Sequence, residues 1–155
     1  MSMTLWFTQV TAEELNRAIV DPRWARECLL DDDRPCCYLG KAWAGIQFLL
    51  DAAGADVDIY QDATCVIANG DDGLSIVGWN DDMVAHVART LSALPFEALA
   101  GHYDPEKLSE EEVYPNGRFW DDDEHKFLRD GYEALVTFVE ATATSGGAAI
   151  RSFNF

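Results

Sequence analysis

Leu39, Trp43, Ile46 and Leu50 recur at three- and four-residue steps, the spacing that puts side chains on one face of a helix. Phe48 and Leu49 widen the apolar arc, so the pattern over residues 38–50 predicts a central core helix that other elements pack against. Gly54 can take the left-handed conformation that closes it. Trp43 and Ile46 are expected in the core. Upstream, residues 3–10 set Leu5, Phe7 and Gln9 against Trp6, Thr8 and Val10, which suits a strand covered on both faces. Thr11-Ala-Glu-Glu14 is a capping box, since hydroxyl and carboxylate can satisfy the first free amides of a helix over residues 12–20. Pro22 then suits the first position of a second helix with Trp24, Cys28 and Leu29 on its apolar side, followed by an acidic loop at residues 31–35.

Beyond the central helix the pattern is weaker. Residues 57–60, 64–68 and 74–77 are β-prone, with Asn69-Gly-Asp-Asp-Gly73 between the last two, which fits either a hairpin or a long surface loop. Asn80 is a good N-cap for a helix to about Leu94 that carries Met83, Val84, Val87, Leu91 and Leu94 on one side. Pro95 and Pro105 open two short helices through Leu99 and Leu108, and residues 110–117 read as an extended segment and turn. The run Asp121-Asp-Asp-Glu124 begins the longest helix, with Leu128, Tyr132, Leu135, Val136 and Val139 inward and Gly146-Gly147 at its end. A closing strand follows over residues 148–155. The expectation is one α+β domain over residues 1–155, with helices packed around a central core helix and against a small mixed sheet.

Charge narrows the classes of partner. The chain carries 28 acidic against 11 basic residues, a net charge of -17, which opposes direct contact with nucleic acid or an anionic membrane surface. It also attracts a basic protein, which becomes the expected partner. No run approaches the roughly 18 apolar residues of a membrane span, and the opening residues lack a signal-peptide pattern, so a cytoplasmic location is expected. Cys28, Cys36, Cys37 and Cys65 have no framework spacing and should be free thiols.

Several features resemble one family when taken in order. They are Met1-Ser-Met-Thr with Thr11-Ala-Glu-Glu-Leu15, then Lys41-Ala-Trp43 with Ile46-Gln-Phe-Leu-Leu50, Trp79-Asn-Asp-Asp-Met-Val84, and Val113-Tyr-Pro115. Together they resemble the YfbM-like family of small bacterial proteins of unknown function. Gly40 stands where that family more usually has Asp. The resemblance implies an α+β domain and supplies no activity.

Candidate chemistry is sparse. Ser75 lies in no nucleophile elbow and no glycine-rich phosphate loop is present. Cys36-Cys37 lacks the two-residue gap that lets paired thiolates grip zinc. Asp121, Asp122 and His125 have helical spacing for a cation, but a solvated helix start explains the same residues without a metal and is the preferred reading, and no metal or cofactor is expected. The leading reading is a non-enzymatic interaction module, an inhibitor or immunity-like protein toward a basic partner. Glu110, Glu111, Glu112, Asp121, Asp122 and Asp123 are its acidic contacts around the Tyr114-Pro115 turn. The alternative is a small-molecule-binding protein or enzyme, with Lys41, Tyr114, Trp120 and His125 around a pocket near the central helix.

Overall fold

A computed structural model describes residues 2–115, 120–121 and 124–155, with the side chain of residue 124 not among them. The chain runs β1 (Thr4–Val10), α1 (Ala12–Val20), α2 (Pro22–Cys28), β2 (Cys36–Gly40), α3 (Trp43–Ala52), β3 (Cys65–Asn69), β4 (Leu74–Trp79), α4 (Asp81–Ser92), α5 (Phe96–Ala100), α6 (Pro105–Glu110), α7 (Glu124–Thr144) and β5 (Ala148–Asn154). The five strands form one sheet in the order β2-β1-β5-β4-β3. Every ladder in it is antiparallel, where the sequence pointed to a mixed sheet.

Strand alternation divides the side chains between two layers. Leu5 and Phe7 of β1, Leu39 of β2 and Ala149 and Phe153 of β5 join the larger core with α3, α4 and α7. Val10, Ile76, Ala148 and Ile150 pack on the other face with Leu15 and Ala18 of α1 and Ala25 of α2. This makes α3 one wall of the larger core. Phe7 and Trp79 meet in its centre at 4.7 Å between rings. Tyr132 fastens α7 to the end of α4 by donating to the carbonyls of Leu94 at 2.6 Å and Leu91 at 3.2 Å.

The helix starts follow from local chemistry. Thr11 Oγ1 accepts from the Glu14 amide while Glu14 Oε1 accepts from the Thr11 amide, closing the expected capping box. Asp21, Asn80 and Asp104 accept in the same way from the amides of Trp24, Met83 and Lys107. The hairpin alternative holds for β3 and β4, whose turn uses Gly70 and Gly73 at φ 89 and 88°. Four free cysteines are present, Cys28 and Cys37 buried and Cys36 exposed.

Three local assignments are corrected. Tyr38 and Leu39 belong to β2, and the helix starts only at Trp43. Cys37 and Leu39 are buried while Cys36 and Tyr38 are exposed, so the same residues satisfy a two-residue period, and Gly40 at φ 56° turns the chain between the elements. Residues 57–60 form no strand. Gln47 replaces a ladder there, donating to the Val57 carbonyl at 3.0 Å and accepting from the Ile59 amide at 2.8 Å. Trp43 is only half-buried although Ile46 is fully buried, because Trp43 occupies the first turn of α3 at the edge of the core. Smaller adjustments are that α4 stops at Ser92, Glu110 ends α6, and α7 begins at Glu124 with Phe138 buried and Val136 half-buried.

Candidate functional site

Trp43 is the hub of the region at the start of α3. Its indole N–H donates to the Met3 carbonyl at 3.3 Å, and Tyr114 Oη accepts from the Met3 amide at 2.9 Å. The two aromatic side chains therefore hold the backbone of one residue, Met3, at its amide and its carbonyl, and their rings lie stacked 6.0 Å apart. Tyr60 lies 5.0 Å from Trp43 on a tilted ring, and Phe153 meets both rings edge-on.

Beside this aromatic group lies a recess of about 310 Å³. Trp43, Phe48 and Tyr60 supply its aromatic lining, and Asp51, Asp58 and Glu111 supply carboxylates. Two of the acids are held in place by their neighbours. Asp51 accepts from Gln47 Nε2 at 2.8 Å, and Asp58 accepts from the amides of Tyr60 and Gln61 at 3.0 and 2.7 Å. Glu111 is exposed on the turn after α6, and none of the three acids forms an ion pair among the described residues. Such a lining attracts a cation, because ring faces and carboxylates both carry negative potential toward the same space.

Arg151 stands behind this wall. It is 4% exposed, and its Nε and Nη1 have no hydrogen-bond partner. Its guanidinium lies 5.4 Å from the Tyr60 ring centre, and burial pushes its pKa down while Tyr60 and Asp58 favour its charge. The ring and the nearby carboxylate offset part of the cost of burying that cation.

A larger groove of about 730 Å³ lies between β2 and α7. Leu39, Ala42, Phe127, Gly131 and Ala134 give it an apolar floor, with Lys41 and Tyr38 at its margin. Tyr38 is 66% exposed. Asp130 also lines the groove but is engaged by Lys126 at 2.7 Å, while Lys41 makes no ion pair among the described residues.

The four residues proposed for a single pocket are placed differently. Lys41 lines the groove, and Tyr114 packs on Trp43. Trp120 is 5% exposed, donates to the Val113 carbonyl at 2.8 Å and lies over Gly45. His125 packs on Tyr103 at 4.5 Å between rings. No described cavity is lined by more than one of them. Of the acidic candidates, Glu110, Glu111, Glu112 and Asp121 are exposed, Glu111 enters the recess, and Asp122 and Asp123 lie outside the described residues. The cation set of Asp121, Asp122 and His125 is incomplete for the same reason. Sequence reading missed Phe48, Asp51, Asp58, Tyr60 and Arg151. The only local signal was the i, i+4 spacing of Gln47 and Asp51, which permits their hydrogen bond.

The comparisons agree with this architecture. The crystal structure of YfbM from Escherichia coli, a protein of unknown function, superposes with a TM-score of 0.69 over 97% of this chain and 99% of that one, at 17% identity. At that identity the likeness concerns the fold. No curated protein matches the chain. Residues 1–152 match the family described as a domain of unknown function, DUF1877. The chain belongs to that family, as a single α+β domain with the YfbM fold.

Proposed function

We propose that this domain is a protein-interaction module that engages a basic partner, with the recess beside Trp43 receiving one of the partner's Lys or Arg side chains. The carrying observation is the meeting of Asp51, Asp58 and Glu111, from three separate segments, with Trp43, Phe48 and Tyr60 around one recess. A Lys or Arg side chain carries both an apolar stem and a charged head, and so matches aromatic walls with a carboxylate rim. Lys107 Nζ already lies 5.8 Å from the Phe48 ring, the same pairing made within the chain. The net charge of -17 adds long-range attraction, which raises association rates and makes binding fall with salt. Glu110 and Glu112, the exposed neighbours of Glu111 in the chain, are proposed as further acidic contacts. Covering a basic protein's surface in this way is inhibition of whatever that surface binds.

The reading is tested by titrating the protein with short oligolysine and oligoarginine peptides while following tryptophan fluorescence. Saturable binding is expected at low salt, weakening at moderate salt. It should fall about tenfold in the Asp51→Asn/Glu111→Gln variant, which keeps the local hydrogen-bond geometry. Equal binding by that variant, or by an oligoglutamate control, refutes the recess as the contact.

A further inference from the structure

We infer that the groove between β2 and α7 is a separate binding site for a small amphipathic carboxylate. Its volume of about 730 Å³ matches a small organic ligand, and its lining pairs a mostly apolar floor with few polar groups. Leu39, Phe127 and Gly131 would carry the apolar body. The floor continues along α7 past Ala134, which it shares with a second recess of about 460 Å³ reaching Phe138 and Ala141. A chain longer than the first groove therefore has apolar surface to follow.

Charge selects the sign of the head group. The lining holds two charged side chains, Lys41 and Asp130. Asp130 is paired with Lys126 at 2.7 Å on the exposed surface of α7, whereas Lys41 has no ion-pair partner among the described residues and is the charge free to meet a ligand. The remaining acids act on a small anion through solvent, where screening over roughly 10 Å weakens distant charges. A neutral ligand would leave Lys41 unmatched. A cationic one would be repelled by it.

The probe is octanoate, with octanol and octylammonium as controls of the same length, read by backbone amide shifts at Gly40, Lys41 and Gly131. Octanoate should shift these amides saturably and bind about tenfold or more tightly than octanol, with octylammonium weaker still. Lys41→Gln should reduce octanoate to the octanol level, and Lys41→Arg should retain binding. Lys41 is exposed, and matching melting temperatures would show that both variants remain folded. Equal binding of octanoate and octanol overturns the assignment, as does the absence of a saturable shift. Shifts at Gly40 and Cys36 that grow with protein concentration alone would also overturn it, identifying the groove as a contact between two copies pairing along β2. Lys41 lies outside the acidic recess, so failure here leaves the basic-partner reading standing.

Discussion

Arg34 holds Glu14 with both terminal nitrogens, Nη1 to Oε1 at 3.0 Å and Nη2 to Oε2 at 2.6 Å, tying the loop before β2 to the first turn of α1. The guanidinium keeps the Glu14 carboxyl well below its ordinary 4.5, at about 2, with the Thr11 amide also favouring the charged form. Because the folded value is depressed, the pair stabilises the protein fully above about pH 5 and the contribution disappears as pH falls toward 2. Glu14→Gln should cost about 1–2 kcal/mol at pH 7, since a bidentate pair is stronger than a simple surface pair and this one remains partly solvated. Urea denaturation of both proteins across that range should show the difference shrinking to nothing at low pH. A constant difference would mean that the hydrogen bond, rather than the charge, is what stabilises.

Trp43→Ala removes contacts with Tyr60, Tyr114 and Phe153 and the bond to the Met3 carbonyl. A half-buried indole should cost about 2–4 kcal/mol, whereas Trp79→Ala, emptying a fully buried site, should cost about 3–5 kcal/mol. Chemical denaturation of the two variants checks both values and their order. A larger loss at Trp43 would place the hub deeper than its exposure indicates.

A methyl group tests the close approach of Trp120 to α3. A Cβ at Gly45 would come within 2.6 Å of the Trp120 ring and 2.7 Å of Leu128 Cδ2, so Gly45→Ala should destabilise by about 1–3 kcal/mol despite its better helix propensity. Gly101 ends α5 at φ -65° with open space around it, and Gly101→Ala should be neutral or stabilising by up to about 1 kcal/mol. Thermal melts of the pair separate a packing effect from an intrinsic preference.

The thiols should react in order of access. Cys36 is exposed at the sheet edge, while burial pushes the Cys37 thiol up to about 12. A thiol reagent at pH 8 should modify Cys36 promptly, Cys65 more slowly, and Cys28 and Cys37 only on unfolding. Four thiols are expected in the unreduced, unfolded protein. Finding two would require a disulfide.

What the sequence made legible was the structure whose causes lie within a few residues. The Thr11–Glu14 box predicted α1 over its observed span because donor, acceptor and helix start sit in four consecutive positions. Asn80 and Gly146-Gly147 marked their helix ends for the same reason. Residues 38–40 were misread because five residues are too few to separate a period of two from one of 3.6 when Leu39 fits both. Residues 57–60 have β-prone side chains, yet their backbone bonds go to Gln47, a partner no local pattern names. The acidic recess was hidden likewise: Asp51, Asp58 and Glu111 come from α3, the segment after it and the turn after α6. Only Glu111 had been singled out, from a charge run. The family resemblance was legible because its residues are spread in order over most of the chain, which the match across residues 1–152 agrees with.

The pairing of β1 with β5 sets Thr4 opposite Asn154 and Val10 opposite Ala148, in the middle of the sheet. On a ribosome, β1 must therefore wait until every other element of this domain has been made before its central neighbour exists. Until then Leu5 and Phe7 have one flank of the sheet missing, and α1 and α2 cover a surface that is not yet assembled. Closing so long a loop late favours slow folding and makes the nascent chain depend on protection of those apolar residues. Deleting β5 would split the sheet into two hairpin-like halves instead of trimming its edge, so shortening the chain from that end should remove cooperative folding altogether.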